Sequence, residues 1–193
     1  PLAATLGASF IPCNQGRSII GTSGTDIRND PMKNWHHIPD VVKPYFAKRI
    51  CIMGPESTGK TTLAQKLAER FDTLAVPEYA YSYIKHKGLN NLELSDMDII
   101  AKGQKASEAA LLRQSNKMLF CDTSIYTTKL WSEYLFGTTS THIEKQAMRE
   151  NYDLYLLMDD DTPFIDDIHR VDQNSRKAFM QKCEAYLQSQ GKN

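Results

Sequence analysis

The sequence has no excess of charge of either sign, because 23 lysines and arginines balance 23 aspartates and glutamates among 193 residues. A net charge of zero gives no electrostatic reason to expect a nucleic acid or an anionic membrane as partner. No apolar run approaches the roughly 18 residues of a membrane helix, and the start has no charged region followed by an apolar stretch. We therefore expect a globular chain in the cytoplasm, with small molecules as its partners.

Cysteines are few and scattered, and neither a CxxC pair nor a histidine at ligand spacing accompanies them. The pattern predicts reduced thiols, without a disulfide or a structural zinc ion. Two of the four cysteines fall within apolar runs that are typical of buried strands. The four are Cys13, Cys51, Cys121 and Cys183.

Regular hydrophobic patterning begins only at Arg49, after a stretch rich in proline and glycine. Short apolar runs typical of buried strands occupy residues 50–53, 74–76, 117–121 and 153–158. Apolar residues at helical spacing occupy residues 60–71, 95–117, 127–136, 142–151 and 175–190. We expect the longest of these helices, 95–117, to begin with Ser95 as its cap and Asp98 three residues later.

Strands that alternate with helices predict a parallel sheet covered on both faces, an α/β/α architecture in three layers. We divide the chain into residues 1–48 and a domain at 49–193. In such a sheet a helix normally leads into another strand, so we expect a last strand to be missing after residue 190.

Residues 54–61 match the phosphate-binding pattern GxxxxGK[ST] at every fixed position, between an apolar strand and an amphipathic helix. Successive backbone N–H groups of such a loop point at phosphates, and the helix N-terminus adds its positive dipole end. Lys60 would reach the β- and γ-phosphates of ATP, and the Thr61 hydroxyl would bind Mg²⁺. A glycine turn that binds nothing is the alternative. The candidate ATP-binding residues are Gly54, Glu56, Ser57, Thr58, Gly59, Lys60, Thr61 and Thr62.

The same loop occurs in GTPases and transport ATPases, but their further motifs are absent here. The string closest to a guanine-reading Asn-Lys-x-Asp is Asn116-Lys117-Met118-Leu119, which lacks the aspartate, and no LSGGQ-like signature occurs. The remaining acids favour a nucleoside- or nucleotide-kinase architecture.

Two carboxylates, Glu78 and Asp122, follow predicted strands at the edge of the sheet where ligands gather. Phosphoryl transfer to a hydroxyl needs an acid that takes its proton and another that holds Mg²⁺. Position favours Glu78 for the first role and Asp122 for the second, with helix capping as the alternative for each. Arg170 and Arg176 are candidates for a lid that places positive charge over the phosphates, or are ordinary surface arginines.

Gln104 lies on the long helix that we expect to roof the acceptor pocket. Several aromatic residues could stack on a flat heterocycle there or pack in the core instead. These are Tyr79, Tyr83, Trp131 and Tyr134.

The ordered set of motifs resembles the ribosylnicotinamide kinase domain of the bacterial trifunctional NAD biosynthesis/regulator protein, over roughly residues 49 to 190. Besides the phosphate-binding loop, the motifs that carry the resemblance are Pro77-Glu78-Tyr79-Ala80, Gly103-Gln104, Asp122-Thr123 and Asp167-Ile168-His169-Arg170. The resemblance implies phosphorylation of nicotinamide riboside by ATP and Mg²⁺. It also implies acceptor contacts from Glu78, Tyr79, Gln104 and Asp122.

Two positions depart from the family pattern. Tyr81 stands where the family usually has arginine, and Ser124 stands where it often has aspartate. These departures bear on the acceptor contacts and leave the phosphate chemistry unchanged.

The first 48 residues resemble the C-terminal end and connector of a nicotinamide-nucleotide adenylyltransferase domain. Residues 22–28, Thr-Ser-Gly-Thr-Asp-Ile-Arg, are similar to a motif whose hydroxyls and arginine bind ATP phosphates, which implies that role for Ser23, Thr25 and Arg28. An ordinary turn is the alternative. No His-x-x-His or His-x-Gly-His loop precedes residue 48, so we expect no adenylyltransferase activity from this segment.

Two other functions remain open. Kinases of other nucleosides share the loop and both acids, but they usually carry arginine directly after the second acid, where this chain has Thr123. A regulatory module that binds ATP without turnover would need neither Glu78 nor Arg170.

Overall fold

The computed structural model describes residues 2–11, 16, 18–19, 21–159, 161 and 175–191. The chain forms two compact units, Pro1–Lys43 and Pro44–Asn193. In the first unit, helices α1 (Leu2–Thr5) and α2 (Gly24–Asn29) are followed by a 3-10 turn at Trp35–His37. Helix α3 (Lys43–Phe46) crosses the boundary between the units.

The second unit alternates strands and helices. The strands are β1 (Lys48–Met53), β2 (Leu74–Val76), β3 (Met118–Asp122) and β4 (Leu154–Leu157). The helices are α4 (Lys60–Arg70), α5 (Tyr79–Lys87), α6 (Leu94–Leu112), α7 (Ile125–Phe136), α8 (Thr141–Arg149) and α9 (Ser175–Ser189).

The four strands form one parallel sheet in the order β2-β3-β1-β4. Cys51 of β1 pairs with Cys121 of β3 and with Tyr155 of β4. Because β1 and β3 lie at the centre, the loops that follow them meet at the middle of the carboxyl edge, where an α/β sheet binds ligands.

Both faces of the sheet are buried, and side chains alternate between two cores. Ile50, Ile52 and Phe120 pack with Ala64 and Ala68 of α4 on one face. On the other face, the buried strand residues pack with residues of α7 and α9; this set comprises Cys51, Met53, Val76, Leu119, Cys121, Leu130, Phe179, Cys183 and Tyr186. Burial on both faces explains why these strands are continuous apolar runs. The predicted parallel sheet, covered by helices on both faces, is confirmed.

The longest helix differs from its prediction at both ends. Helix α6 begins at Leu94 after Glu93, whose backbone N–H donates to Asp96 at 2.7 Å, so the predicted Ser95 cap is wrong. It ends at Leu112 instead of Lys117, and the N–H groups of Gln114 and Ser115 donate to the carbonyls of Leu111 and Leu112 in tighter turns. Lys117 lies outside the helix, with a φ of 62° and a carbonyl that accepts a hydrogen bond from Lys48 N–H. A residue with that φ cannot continue a right-handed helix.

Helix α5 was not predicted. Its only clear stop signal is Gly88, and its apolar and polar residues follow no strong helical period; no residue in it is buried. Its position is fixed by tertiary contacts with α6 instead.

In the described part of the chain, none of the helices is long and apolar enough to cross a membrane. Cys51, Cys121 and Cys183 are buried free thiols, and Cys51 and Cys121 lie in buried strands as predicted. Cys13 lies outside the described residues.

Candidate functional site

The phosphate-binding loop joins β1 to α4 and curls tightly against the end of β4. Gly54 has a φ of 139°, and a Cβ placed on it would lie 2.7 Å from the carbonyl oxygen of Met158. Only glycine therefore allows β4 to come this close. Gly59, in the left-handed region, caps α4, and Lys60 and Thr61 form the first turn of that helix.

One carbonyl inside the loop accepts two hydrogen bonds. The Pro55 oxygen accepts from the Thr58 hydroxyl at 2.9 Å and from Lys60 Nζ at 2.6 Å. The ammonium of Lys60 therefore lies over the curl of the loop, where the phosphates of a nucleotide would bind.

Asp122 lies at the end of β3 and contacts the first turn of α4. Its Oδ2 accepts a hydrogen bond from the Thr61 hydroxyl at 2.5 Å, while its buried Oδ1 has no hydrogen-bond partner among the described residues. Burial raises the pKa of Asp122, and the Thr61 hydrogen bond and the charge of Lys60 oppose that rise. A hard cation takes such oxygen ligands, so the arrangement fits Mg²⁺ held by Thr61 and Asp122.

Gln104, which is fully buried on α6, links the two predicted acids. Its Oε1 accepts a hydrogen bond from Tyr79 N–H at 2.9 Å, and its amide nitrogen lies 3.5 Å from the carbonyl oxygen of Asp122. Glu78 directly precedes that N–H, at the start of α5. Gln104 therefore positions the main chain beside both acids, and it is not among the residues that line the cleft described next.

A cleft lies beside the phosphate-binding loop, to which Glu56 belongs. Its polar lining consists of Glu56, Glu78, Thr123, Thr127 and Thr128. Its apolar lining consists of Ala80, Ile84, Leu89, Leu92, Met97, Ile100, Trp131 and Leu135. The lining residues described here include two carboxylates and no lysine, arginine or histidine. The cleft therefore offers hydrogen-bonding groups beside an apolar surface, which suits a ligand with a polar and an apolar part.

The predicted aromatic residues have different roles. Trp131 lines the cleft and stacks on Phe179 at 4.8 Å, whereas Tyr134 is 46% exposed. Tyr79 packs against Gly103, where an added Cβ would lie 2.3 Å from the tyrosine ring. Tyr83 stacks beside Tyr79 at 6.4 Å.

A partly buried ion pair, which was not predicted, holds α5 against α6. Asp96 is 2% exposed and accepts hydrogen bonds from Lys87 Nζ at 2.6 Å and from the Tyr83 hydroxyl at 2.6 Å. Burial alone would raise the pKa of Asp96, but these hydrogen bonds outweigh it and lower the pKa to about 2. The pair fixes the helix that carries Ala80 and Ile84 into the cleft.

A second buried acidic group lies further along α6. The Tyr152 hydroxyl is 2.7 Å from Oε1 of Glu108 and 3.2 Å from Oε1 of Glu150. Burial raises the pKa of Glu108 to about 7 and also raises the pKa of Glu150. Glu150 accepts hydrogen bonds from the backbone N–H groups of Ile125 and Tyr126, so it caps the start of α7.

One sequence signal could have revealed these acids. Asp96, Gln104 and Glu108 share the i, i+4 stripe of α6 with the buried Ile100. Polar residues on the buried stripe of a helix require hydrogen-bond partners.

Other predicted positions are placed as follows. Ser124 caps α7 by accepting from Thr127 N–H, a role that aspartate performs equally well, and Tyr81 is 44% exposed on α5. Arg176 is buried near the start of α9, and Thr62 is exposed on α4. Arg170 lies outside the described residues.

In the first unit, the predicted phosphate motif forms the start of α2. The Ser23 hydroxyl accepts a hydrogen bond from Asp26 N–H at 3.1 Å, and Arg28 Nη2 lies 3.4 Å from the Thr25 hydroxyl. The capping role of Ser23 explains why the short helix begins there.

Residues 49–193 match a family model described as "AAA domain". The chain is 34% identical over 179 residues to the "Trifunctional NAD biosynthesis/regulator protein NadR" of Salmonella typhimurium, covering 90% of this chain and 44% of that protein. It is 33% identical over 165 residues to the Escherichia coli protein of the same name, covering 84% of this chain and 40% of that protein. The chain thus spans less than half the length of these curated relatives.

Solved structures of NadR proteins are also similar to this chain. A NadR protein in complex with NR superposes with a TM-score of 0.77 at 25% identity, over 98% of this chain and 58% of that one. A NadR protein in complex with NAD and AMP-PNP superposes with a TM-score of 0.73 at 26% identity, over 91% of this chain and 50% of that one. Thymidylate kinase from Ehrlichia chaffeensis superposes with a TM-score of 0.50 at 17% identity, over 74% of this chain and 82% of that one. This similarity shows the fold alone.

With a P-loop, two acids at the carboxyl edge of a parallel sheet and a family match over three quarters of its length, the chain belongs to the AAA domain family and is homologous to NadR.

Proposed function

We propose that residues 49–193 phosphorylate nicotinamide riboside to the mononucleotide with ATP, as a step of NAD biosynthesis. The observation that carries the proposal is the cleft beside the phosphate-binding loop, whose lining combines Glu56 and Glu78 with Trp131 and apolar residues. Nicotinamide riboside carries a positive charge on its flat pyridinium ring, which such a lining favours. The similarity to a NadR protein solved in complex with NR supports the same acceptor.

In this proposal, each end of the site has a distinct task. The loop N–H groups and Lys60 bind the ATP phosphates, and Glu78 orients the reacting hydroxyl of the riboside. The hydroxyl oxygen forms a bond to the γ-phosphorus while the bond from that phosphorus to the ADP oxygen breaks. The hydroxyl proton passes to the carboxylate of Glu78.

Mg²⁺ would be held by the Thr61 hydroxyl and the Asp122 carboxylate, and it would supply positive charge to the phosphate oxygens. Arg170 and Arg176 are proposed to add positive charge near the phosphates. We place the reaction in the cytoplasm, where ATP is available and thiols such as Cys51 stay reduced.

The test is ADP release measured with and without nicotinamide riboside, in the unsubstituted chain and in Glu78→Gln. The substitution keeps the shape of the side chain but removes the base, and loss of a general base lowers rates by about 10²- to 10⁴-fold. We expect kcat to fall by that order while the KM for ATP stays the same. Glu69→Gln, an exposed acid on α4, is the matched control and should keep full activity.

Three results would contradict the proposal in different ways. Normal turnover by Glu78→Gln would remove its role as base. If another nucleoside stimulated ADP release and the riboside did not, the chain would be a kinase of that nucleoside. If no nucleoside stimulated ADP release while ATP still bound, the chain would be better described as a regulatory module that binds ATP without turnover.

For residues 1–48 we propose a separate origin, as the C-terminal part of a nicotinamide-nucleotide adenylyltransferase domain. Ser23 caps the short helix α2, which carries Thr25 and Arg28, and the hydroxyls and guanidinium of these residues support a phosphate site of that domain. Arg28→Ala should lower the adenylyltransferase activity of the full-length gene product and leave its kinase activity unchanged. An unaltered adenylyltransferase rate would contradict this origin.

A further inference from the structure

Thr123 has a backbone conformation that its residue type rarely adopts. Its φ is 79°, in the left-handed region where a β-branched side chain is strained. The strand β1 holds it there, because Thr123 N–H donates to the Ile52 carbonyl at 3.0 Å and the Thr123 carbonyl accepts from the Cys51 thiol at 3.7 Å. Strain of this kind persists where the surrounding structure imposes it, and it concentrates at ligand sites.

The side chain of Thr123 is also unusual, because it is 4% exposed and its buried hydroxyl has no hydrogen-bond partner in the described part of the chain. The two other threonines that line the cleft differ in this respect. The hydroxyl of Thr128 donates to the Ser124 carbonyl at 3.4 Å, and the hydroxyl of Thr127 lies 3.3 Å from that of Ser124. A buried hydroxyl that lacks a partner is costly, so this one is suited to a partner supplied by a ligand.

Thr123 lines the same cleft as Glu56 and Glu78. Both carboxylates accept hydrogen bonds, so the polar part of this lining suits a ligand that carries hydroxyl groups. A hydroxyl of a sugar is a suitable partner, since it is uncharged and both donates and accepts. Glu78 is already assigned to the reacting hydroxyl under the proposed function.

We propose that Thr123 is an acceptor-binding residue whose Oγ1 forms a hydrogen bond with a non-reacting hydroxyl of the acceptor's sugar. This inference rests on the proposed function, because it takes a nucleoside as the acceptor. It makes the third position of the sequence Cys121-Asp122-Thr123 a determinant of sugar specificity.

The experiment compares Thr123→Val, which removes the hydroxyl and keeps the branched shape, with Thr123→Ser, which keeps the hydroxyl. We expect Thr123→Val to raise the KM for nicotinamide riboside about 3- to 10-fold, the effect of one lost neutral hydrogen bond. The KM for ATP should not change, and Thr123→Ser should stay near the unsubstituted chain. Thr123→Val should not lower Tm, since removing an unpaired buried hydroxyl does not destabilise the fold.

Thr139→Val is the matched control, because Thr139 also has a buried hydroxyl without a partner among the described residues but does not line the cleft. It should leave both KM values unchanged. The unsubstituted chain should also discriminate about 3- to 10-fold against the 2′-deoxy or the 3′-deoxy riboside, and Thr123→Val should lose that discrimination.

Two results would overturn the inference while the proposed function stands. One is an unchanged KM for nicotinamide riboside in Thr123→Val, and the other is that the unsubstituted chain uses both deoxy analogues as well as it uses the riboside. If nicotinamide riboside is not phosphorylated but another nucleoside is, the proposed function fails and the same comparison is made with that nucleoside. If no nucleoside stimulates ADP release, both fail.

Discussion

Among single residues, Lys60 combines the strongest sequence signal with a defined position over the phosphate-binding loop. Its Nζ donates to the Pro55 carbonyl at 2.6 Å, so the ammonium is held where the transferring phosphate would develop charge. Lys60→Ala should lower kcat by orders of magnitude and weaken ATP binding less. Single-turnover kinetics and ATP titration would measure the two effects.

The control is Lys66→Ala on the same helix, since Lys66 is 71% exposed and pairs with the similarly exposed Glu69. Such a pair contributes little, so that variant should keep its rate. Turnover of Lys60→Ala close to that of Lys66→Ala would remove the catalytic role of the loop.

The residue types of the loop could be predicted because the chemistry of phosphate binding fixes them at a fixed spacing. Thr123 stands in one of the motifs, but its conformation could not be predicted, because β1 imposes its φ of 79° through hydrogen bonds. No local sequence pattern encodes a conformation enforced by a neighbouring strand.

Among the elements, the contact of α5 with α6 depends on a close approach at Gly103. A Cβ at this position would lie 2.3 Å from the Tyr79 ring, which must then move away from α6. Gly103→Ala should therefore destabilise the fold by about 1 to 3 kcal/mol, even though alanine favours the helix by about 1 kcal/mol. Urea unfolding would measure this change.

Lys102→Ala, at the neighbouring exposed position of α6, is the control and should be neutral or slightly stabilising. Since Ala80 and Ile84 of α5 line the cleft, Gly103→Ala should also raise the KM for the acceptor more than the KM for ATP. A stabilising Gly103→Ala would show that α5 does not pack as described.

The elements themselves differ in how well the sequence predicts them. The four strands were predicted within two residues, because strands buried on both faces must be apolar throughout. Helix α5 was missed because no residue in it is buried, and the ion pair of Lys87 with Asp96 that holds it joins residues of opposite charge on two helices. The sequence carries no sign of which charges pair.

For the whole molecule, the buried acid Glu108 makes stability depend on pH. Burial raises its pKa to about 7 from the usual 4.5, so the folded chain keeps a proton between these values that the unfolded chain releases. The contribution of Glu108 to the free energy of unfolding is therefore at its full value below about pH 4.5 and is lost as pH rises to about 7. At about 1.4 kcal/mol per pKa unit, the loss is about 3 kcal/mol.

Glu108→Gln removes this titration. We expect the difference in unfolding free energy between the unsubstituted chain and Glu108→Gln to fall by about 3 kcal/mol between pH 4.5 and pH 7.5, measured by urea unfolding. Glu69→Gln, which changes an exposed glutamate in the same way, is the matched control measured in parallel. A constant difference for Glu108→Gln would mean that Glu108 is ionised throughout this range.

The hydrogen bonds of Gln104 have a consequence for how the two substrates affect each other. One buried amide contacts the main chain at Tyr79, beside the acceptor cleft, and at Asp122, beside the phosphate-binding loop. We expect this amide to couple the two segments, and any such coupling between the proposed substrates must be reciprocal. ATP should change the affinity for the acceptor by the same factor by which the acceptor changes the affinity for ATP, so the order in which the two bind cannot alter the stability of the ternary complex.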